Sequence, residues 1–107
     1  MSQQRVSKAD NTNDASDTAV TRTVKIINSL GLHARPAALF VQTANRFPDC
    51  RIMVSNGQES VNGKSIMGMM TLAAAQGTDL FIEIIGDQAR EAMDALSHLI
   101  AGKFDEE

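Results

Sequence analysis

The sequence predicts an α+β open-faced sandwich: a four-stranded antiparallel sheet with three helices on one face, in the order β-α-β-β-α-β-α. Three observations predict it. Apolar residues alternate in short stretches, they recur every three or four positions in others, and Asn56-Gly57 marks a hairpin between two strands. Strands with one apolar face call for helices on that face alone and leave the other to water.

Taken in order, residues 1–20 are rich in Ser, Asn, Asp, Gln and Thr and show no apolar period. Such a segment buries too little surface to offset the entropy of ordering, so a disordered polar extension is expected. From Thr21 the signals become regular. Val24 and Ile26 alternate with Thr23 and Lys25, the period of a half-buried strand. Ala37, Phe40, Val41, Ala44 and Phe47 line one face of a helix that should end near Phe47-Pro48. Two short strands follow around Asn56-Gly57, a dipeptide that tolerates the positive φ angles of a two-residue turn. The stretch SIMGMMTLAAAQG reads as a short helix stopped at Gly77, with Met69, Leu72 and Ala73 toward the core. Leu80, Ile82 and Ile84 alternate with Phe81 and Glu83 in a further strand. Asp87 can cap a last helix whose inner face is Ala89, Ala92, Met93, Leu96, Leu99 and Ile100. The folded domain is thus expected over 21–103, with 104–107 left as an acidic tail.

Composition narrows the function. The chain has 107 residues, enough for one small domain, and its 43% hydrophobic content suits a globular fold. The net charge of −3 belongs to the two ends, since residues 21–102 carry seven basic and seven acidic side chains. A neutral body with four Phe, no Trp and no Tyr has neither the basic stripe nor the stacking residues of a nucleic-acid binder. The single Cys50 excludes an internal disulfide and a thiolate metal cluster. With no apolar run of membrane-spanning length and no secretion signal, the cytoplasm is the expected location.

The stretch LGLHARPAAL, residues 30–39, places His33 at or beside the N-cap of the first helix and Arg35 two positions on. The first N–H groups of a helix have no partner within it, and with the positive end of the dipole they favour an anion. Pro36 loses nothing there, since its missing N–H falls in the first turn. Gly31 lets the chain bend into the helix. A neutral ring nitrogen is a nucleophile that can accept a phosphoryl group. The N–H donors of the helix start at Ala34 and Arg35, and the Arg35 guanidinium fork, would then receive its oxygens. The plainer reading keeps His33 as a polar cap and Arg35 as a solvated side chain. Metal binding has little to build on: the other histidine, His98, lies off its helix's apolar stripe and reads as a surface residue, with no carboxylate cluster near either.

The second helix carries more apolar surface than one sheet can cover. Ile66, Met67 and Met70 form a group on a different face from Met69, Leu72 and Ala73. Exposed methionines are adaptable contact residues, which suggests a partner-binding patch; folding down over a thin core is the alternative. Ser65 precedes that helix, where its hydroxyl can cap the first turn.

With GLHARPAA and NGKSIMGMMTLAAAQG both present and in this order, the chain closely resembles the HPr family, the histidine phosphocarriers of the bacterial phosphoenolpyruvate-dependent phosphotransferase system. The likeness covers about residues 21–102. It implies that His33 is phosphorylated by enzyme I, through the ring nitrogen facing the helix start, and passes the group to enzyme IIA domains with the help of Arg35. It also implies that Ser65 is the target of an ATP-dependent HPr kinase/phosphorylase. Ala38, Ile66, Met67 and Met70 would belong to a surface shared by protein partners, among them a transcriptional regulator. Such a protein is a substrate of enzymes rather than an enzyme, needs no cofactor or metal, and is expected to be a monomer. The form NSLGLHARPA is also similar to the nitrogen-related branch. A nitrogen-related or purely regulatory paralogue acting by protein binding is therefore the alternative.

Overall fold

The computed structural model describes residues 19–106; the body of the expected N-terminal extension, residues 1–18, lies outside them. Four strands, β1 (Ala19–Lys25), β2 (Arg51–Ser55), β3 (Ser60–Asn62) and β4 (Asp79–Ile85), and three helices, α1 (Ala34–Ala44), α2 (Ile66–Thr71) and α3 (Ala89–Ala101), follow in the order β1-α1-β2-β3-α2-β4-α3. The sheet order is β1-β4-β2-β3 and every neighbouring pair is antiparallel. This is the open-faced sandwich that the alternation predicts. Strand β4 sits between β1 and β2, pairing Ile84 with both Val20 and Ile52, so the two β-α-β halves interleave in one sheet.

Period-2 alternation decides which face is covered. Ile52, Val54, Leu80, Ile82 and Ile84 are buried beneath the helices, together with Phe40 of α1, Met69 of α2 and Met93, Leu96 and Ile100 of α3. The intervening Phe81 and Glu83 are exposed on the open face. Arg22 points inward on the edge strand β1. Its guanidinium escapes burial by reaching Ser97 and Asp94 on α3 at 3.0 and 3.4 Å.

Several boundaries differ from those expected. Strand β1 begins at Ala19, two residues before the expected start of the domain, because Ala19 and Val20 pair with Ile85 and Ile84. Helix α1 ends at Ala44, and tight turns through Asn45, Arg46 and Phe47 then carry Phe47 into the core ahead of Pro48. In the hairpin only Gly57 has positive φ; Asn56 instead accepts hydrogen bonds through Oδ1 from the N–H groups of Gln58 and Glu59. Helix α2 stops at Thr71 rather than Gly77, and Ala73 turns left-handed and exposed (φ 48°), so that Ala74 is buried in its place. Helix α3 is capped at Gln88, not Asp87, and without a side-chain bond.

The largest correction concerns residues 104–106 of the acidic tail expected over 104–107; Glu107 lies outside the described residues. Lys103–Asp105 form one tight turn with all three residues left-handed (φ 58°, 54° and 61°), and Phe104 is fully buried in the core. Through Glu106 the expected acidic tail is part of the fold because its one large apolar side chain, Phe104, has a core to enter.

Candidate functional site

The first turn of α1 is the candidate site that the sequence singles out. His33 occupies the N-cap with extended backbone (φ −93°, ψ −166°), and its carbonyl accepts the first helical hydrogen bond, from Ala37 N–H at 3.0 Å. Its side chain makes no capping bond, so it does not consume the donors of Ala34 and Arg35. Arg35 is exposed and forms no ion pair among the described residues. Among the described residues, these N–H donors and this cation thus have no protein partner, and they lie beside a half-exposed imidazole.

The loop before His33 is held by the segment after α2. Leu32 N–H donates to the Ala74 carbonyl at 2.8 Å, and Ile26 exchanges backbone bonds with Gly77 and Thr78. Gly31 turns there with φ +71°, and a Cβ on it would lie 2.5 Å from the Ala74 carbonyl oxygen. Only glycine fits both the angle and the approach. The two sequence motifs are therefore in direct contact.

Behind the ring lies a polar group that sequence reading missed. His33 Nε2 is 2.8 Å from Glu106 Oε2. Asn28, fully buried, donates through Nδ2 to the Gly31 carbonyl at 2.8 Å and to Glu106 Oε1 at 2.9 Å. Its Oδ1 is buried with no hydrogen-bond partner. The opposite amide orientation would set that oxygen against two acceptors, so the two donated bonds decide it. Asn28 had a signal, a polar residue directly after an apolar strand. Glu106 had none, because it stands among acidic residues at the chain's end.

On α2, Ser65 is the N-cap and its Oγ accepts from Gly68 N–H at 3.0 Å, as its position suggested. Met69 is buried while Ile66, Met67 and Met70 are exposed, Met67 by 75%, so the second apolar group does not fold into the core. Leu30, in the loop before His33, is equally exposed and was not anticipated. Ala38 is half-buried on α1. Helices α1 and α2 pack against each other, which places the His33 turn and the α2 surface on neighbouring elements. Among the described residues no group of three His, Cys, Asp or Glu side chains is placed to hold a metal ion, and no helix is long and apolar enough to cross a membrane.

Comparison with known proteins shows the family and the fold. The family model described as PTS HPr component phosphorylation site matches residues 20–102. The chain is 52% identical over 84 residues to phosphocarrier protein HPr of Pseudomonas aeruginosa, a match covering 78% of this chain and 92% of that protein. The crystal structure of HPr from Thermoanaerobacter tengcongensis superposes with a TM-score of 0.78 at 49% identity, over 82% of this chain and 98% of that one. The Bacillus subtilis catabolite repression protein Crh, described as a domain-swapped dimer, is similar with a TM-score of 0.63 at 40% identity, over 75% of this chain and 91% of that one.

Proposed function

The chain belongs to the HPr family of phosphotransferase-system phosphocarriers, and we propose that it accepts a phosphoryl group from enzyme I on His33 and passes it to enzyme IIA domains. The observation that carries this reading is the His33 imidazole, which makes no capping bond, beside N–H donors and an Arg35 that are unpaired among the described residues. A phosphoryl group on the ring would gain both the helix donors and the guanidinium, so the same turn supports the histidine before and after transfer. The protein is then a carrier and not an independent enzyme, working as a cytoplasmic monomer that presents one surface to successive partners.

Ser65 is proposed as a regulatory phosphorylation site for a serine kinase. The residue is half-buried and adjoins the exposed Ile66 and Met67, the surface we assign to enzyme I, IIA domains and a transcriptional regulator. The same surface would serve a purely regulatory or nitrogen-related paralogue. Incubation with phosphoenolpyruvate and enzyme I, followed by assay for acid-labile phosphate, separates the readings. We expect labelling of the wild type and none of His33→Ala, with the fold of the variant intact. Acid-labile phosphate retained by His33→Ala would refute the assignment.

A further inference from the structure

Both oxygens of the Glu106 carboxylate are engaged, Oε2 with His33 Nε2 at 2.8 Å and Oε1 with Asn28 Nδ2 at 2.9 Å. The Glu106 side chain is 14% exposed, against 39% for His33, so this is not a solvated surface pair. An ionised carboxylate can only accept hydrogen bonds; the ring nitrogen facing it therefore carries the proton. In a neutral imidazole the lone pair then resides on Nδ1.

We propose that Glu106 is a positioning residue for phosphoryl transfer: it fixes the His33 ring in the Nε2–H form and faces the positive charge that the ring acquires on taking a phosphoryl group. This rests on the phosphoryl-carrier reading and deepens it. As Nδ1 uses its lone pair to form the N–P bond, the bond from phosphorus to the donor breaks and its electron pair leaves with the donor. Nε2 keeps its proton, and the ring carries a positive charge shared by both nitrogens. A carboxylate already in place on the far side stabilises that charge without reorganising. When an acceptor attacks phosphorus, the N–P pair returns to Nδ1 and the neutral Nε2–H ring is regenerated.

The placement of the carboxylate is built rather than incidental. Asn28 spends both Nδ2 protons on Gly31 and Glu106 and leaves its Oδ1 buried and unpaired, a cost accepted nowhere else among the buried side chains described. Three consecutive left-handed residues, 103–105, bring the chain back toward His33, and Phe104 anchors that turn in the core. Second partners of this kind orient a histidine and select its tautomer.

The test compares the wild type with Glu106→Ala and Glu106→Gln as full-length 15N-labelled proteins. NMR reads the exchange of the Nε2 proton with water, and steady-state phosphorylation by enzyme I is measured as a function of carrier concentration. We expect a slowly exchanging Nε2 proton in the wild type and exchange at least about tenfold faster in Glu106→Ala. The turnover of Glu106→Ala should fall about tenfold with its KM unchanged. Glu106→Gln, which offers an oxygen but no charge, should restore slow exchange and recover only part of the turnover. Equal proton exchange in the wild type and Glu106→Ala, or equal turnover in all three, would overturn the proposal. Absence of acid-labile phosphate on the wild type would overturn the carrier reading instead, and the exchange measurement would still decide whether Glu106 holds the ring.

Discussion

In the proposed transfer, His33 and Arg35 have different tasks set by their positions. The imidazole stands at the N-cap, where its backbone is extended, and Arg35 is the second residue of the helix, exposed and unpaired among the described residues. Arg35→Ala should fold normally and still accept phosphate, because the N–H donors of the turn remain. Loss of one charge-assisted contact should cost about 1.5–3 kcal/mol in transfer, read from the rates in both directions. Unchanged rates would leave Arg35 as a surface residue. Gly31 is the companion requirement at this scale, since its left-handed angle and its contact with Ala74 leave no room for a Cβ.

At the scale of elements, α2 does two things with six residues. One side chain, Met69, enters the core, while Ile66, Met67 and Met70 stay outside. Met67→Glu should therefore leave the melting temperature unchanged and raise the KM for phosphorylation by enzyme I. A large fall in melting temperature would instead mean that Met67 supports the core. Ser65 caps this helix through Gly68, so a charge placed there meets the favourable end of the dipole. Phosphorylation, adding about −1.5 to −2 charge, should stabilise the fold but place a hydrated group beside an apolar contact surface. Ser65→Asp, an incomplete mimic, should slow phosphorylation of His33 mainly through weaker association. Identical concentration dependence for the wild type, Ser65→Asp and the phosphorylated protein would restrict Ser65 to its capping role.

Across the whole molecule, the site is assembled from both ends of the folded chain. The strand β1 exit supplies Asn28, α1 supplies His33, the segment after α2 supplies the Ala74 carbonyl, and the turn after α3 supplies Glu106. Phe104 joins core and site. Left-handed residues cost on the order of 1–2 kcal/mol each, and the three in this turn are offset by a fully buried aromatic ring of similar worth. Phe104→Ala should lower stability by about 3–5 kcal/mol in denaturant titration. The same variant should lose the slow exchange of the His33 Nε2 proton while still folded, since Glu106 is released from its anchor. Retention of both properties would show that the turn is held by other contacts.

The sheet, the helices and the two motifs were legible because they rest on local chemistry. Alternation at Leu80, Ile82 and Ile84, three-four spacing from Ala37 to Ala44, and a serine ahead of α2 each specify a structure through neighbours in sequence. So does a histidine before a proline-containing first turn, which marks the phosphoryl-carrier motif. Where α2 ends was not legible. Leu72 to Gly77 reads as helix by propensity, yet the Ala74 carbonyl is taken by Leu32 N–H and Ala73 is turned left-handed to allow it. Nor was the role of the last residues. KFDEE looks like a charged terminus by composition, and only the presence of a core able to receive Phe104 bends it back to set Glu106 against His33. Sequence by itself determined which segments form strands and helices and which turn carries the histidine. Tertiary structure decided what supports that histidine, because hydrogen bonds between residues more than seventy positions apart leave no local pattern to read.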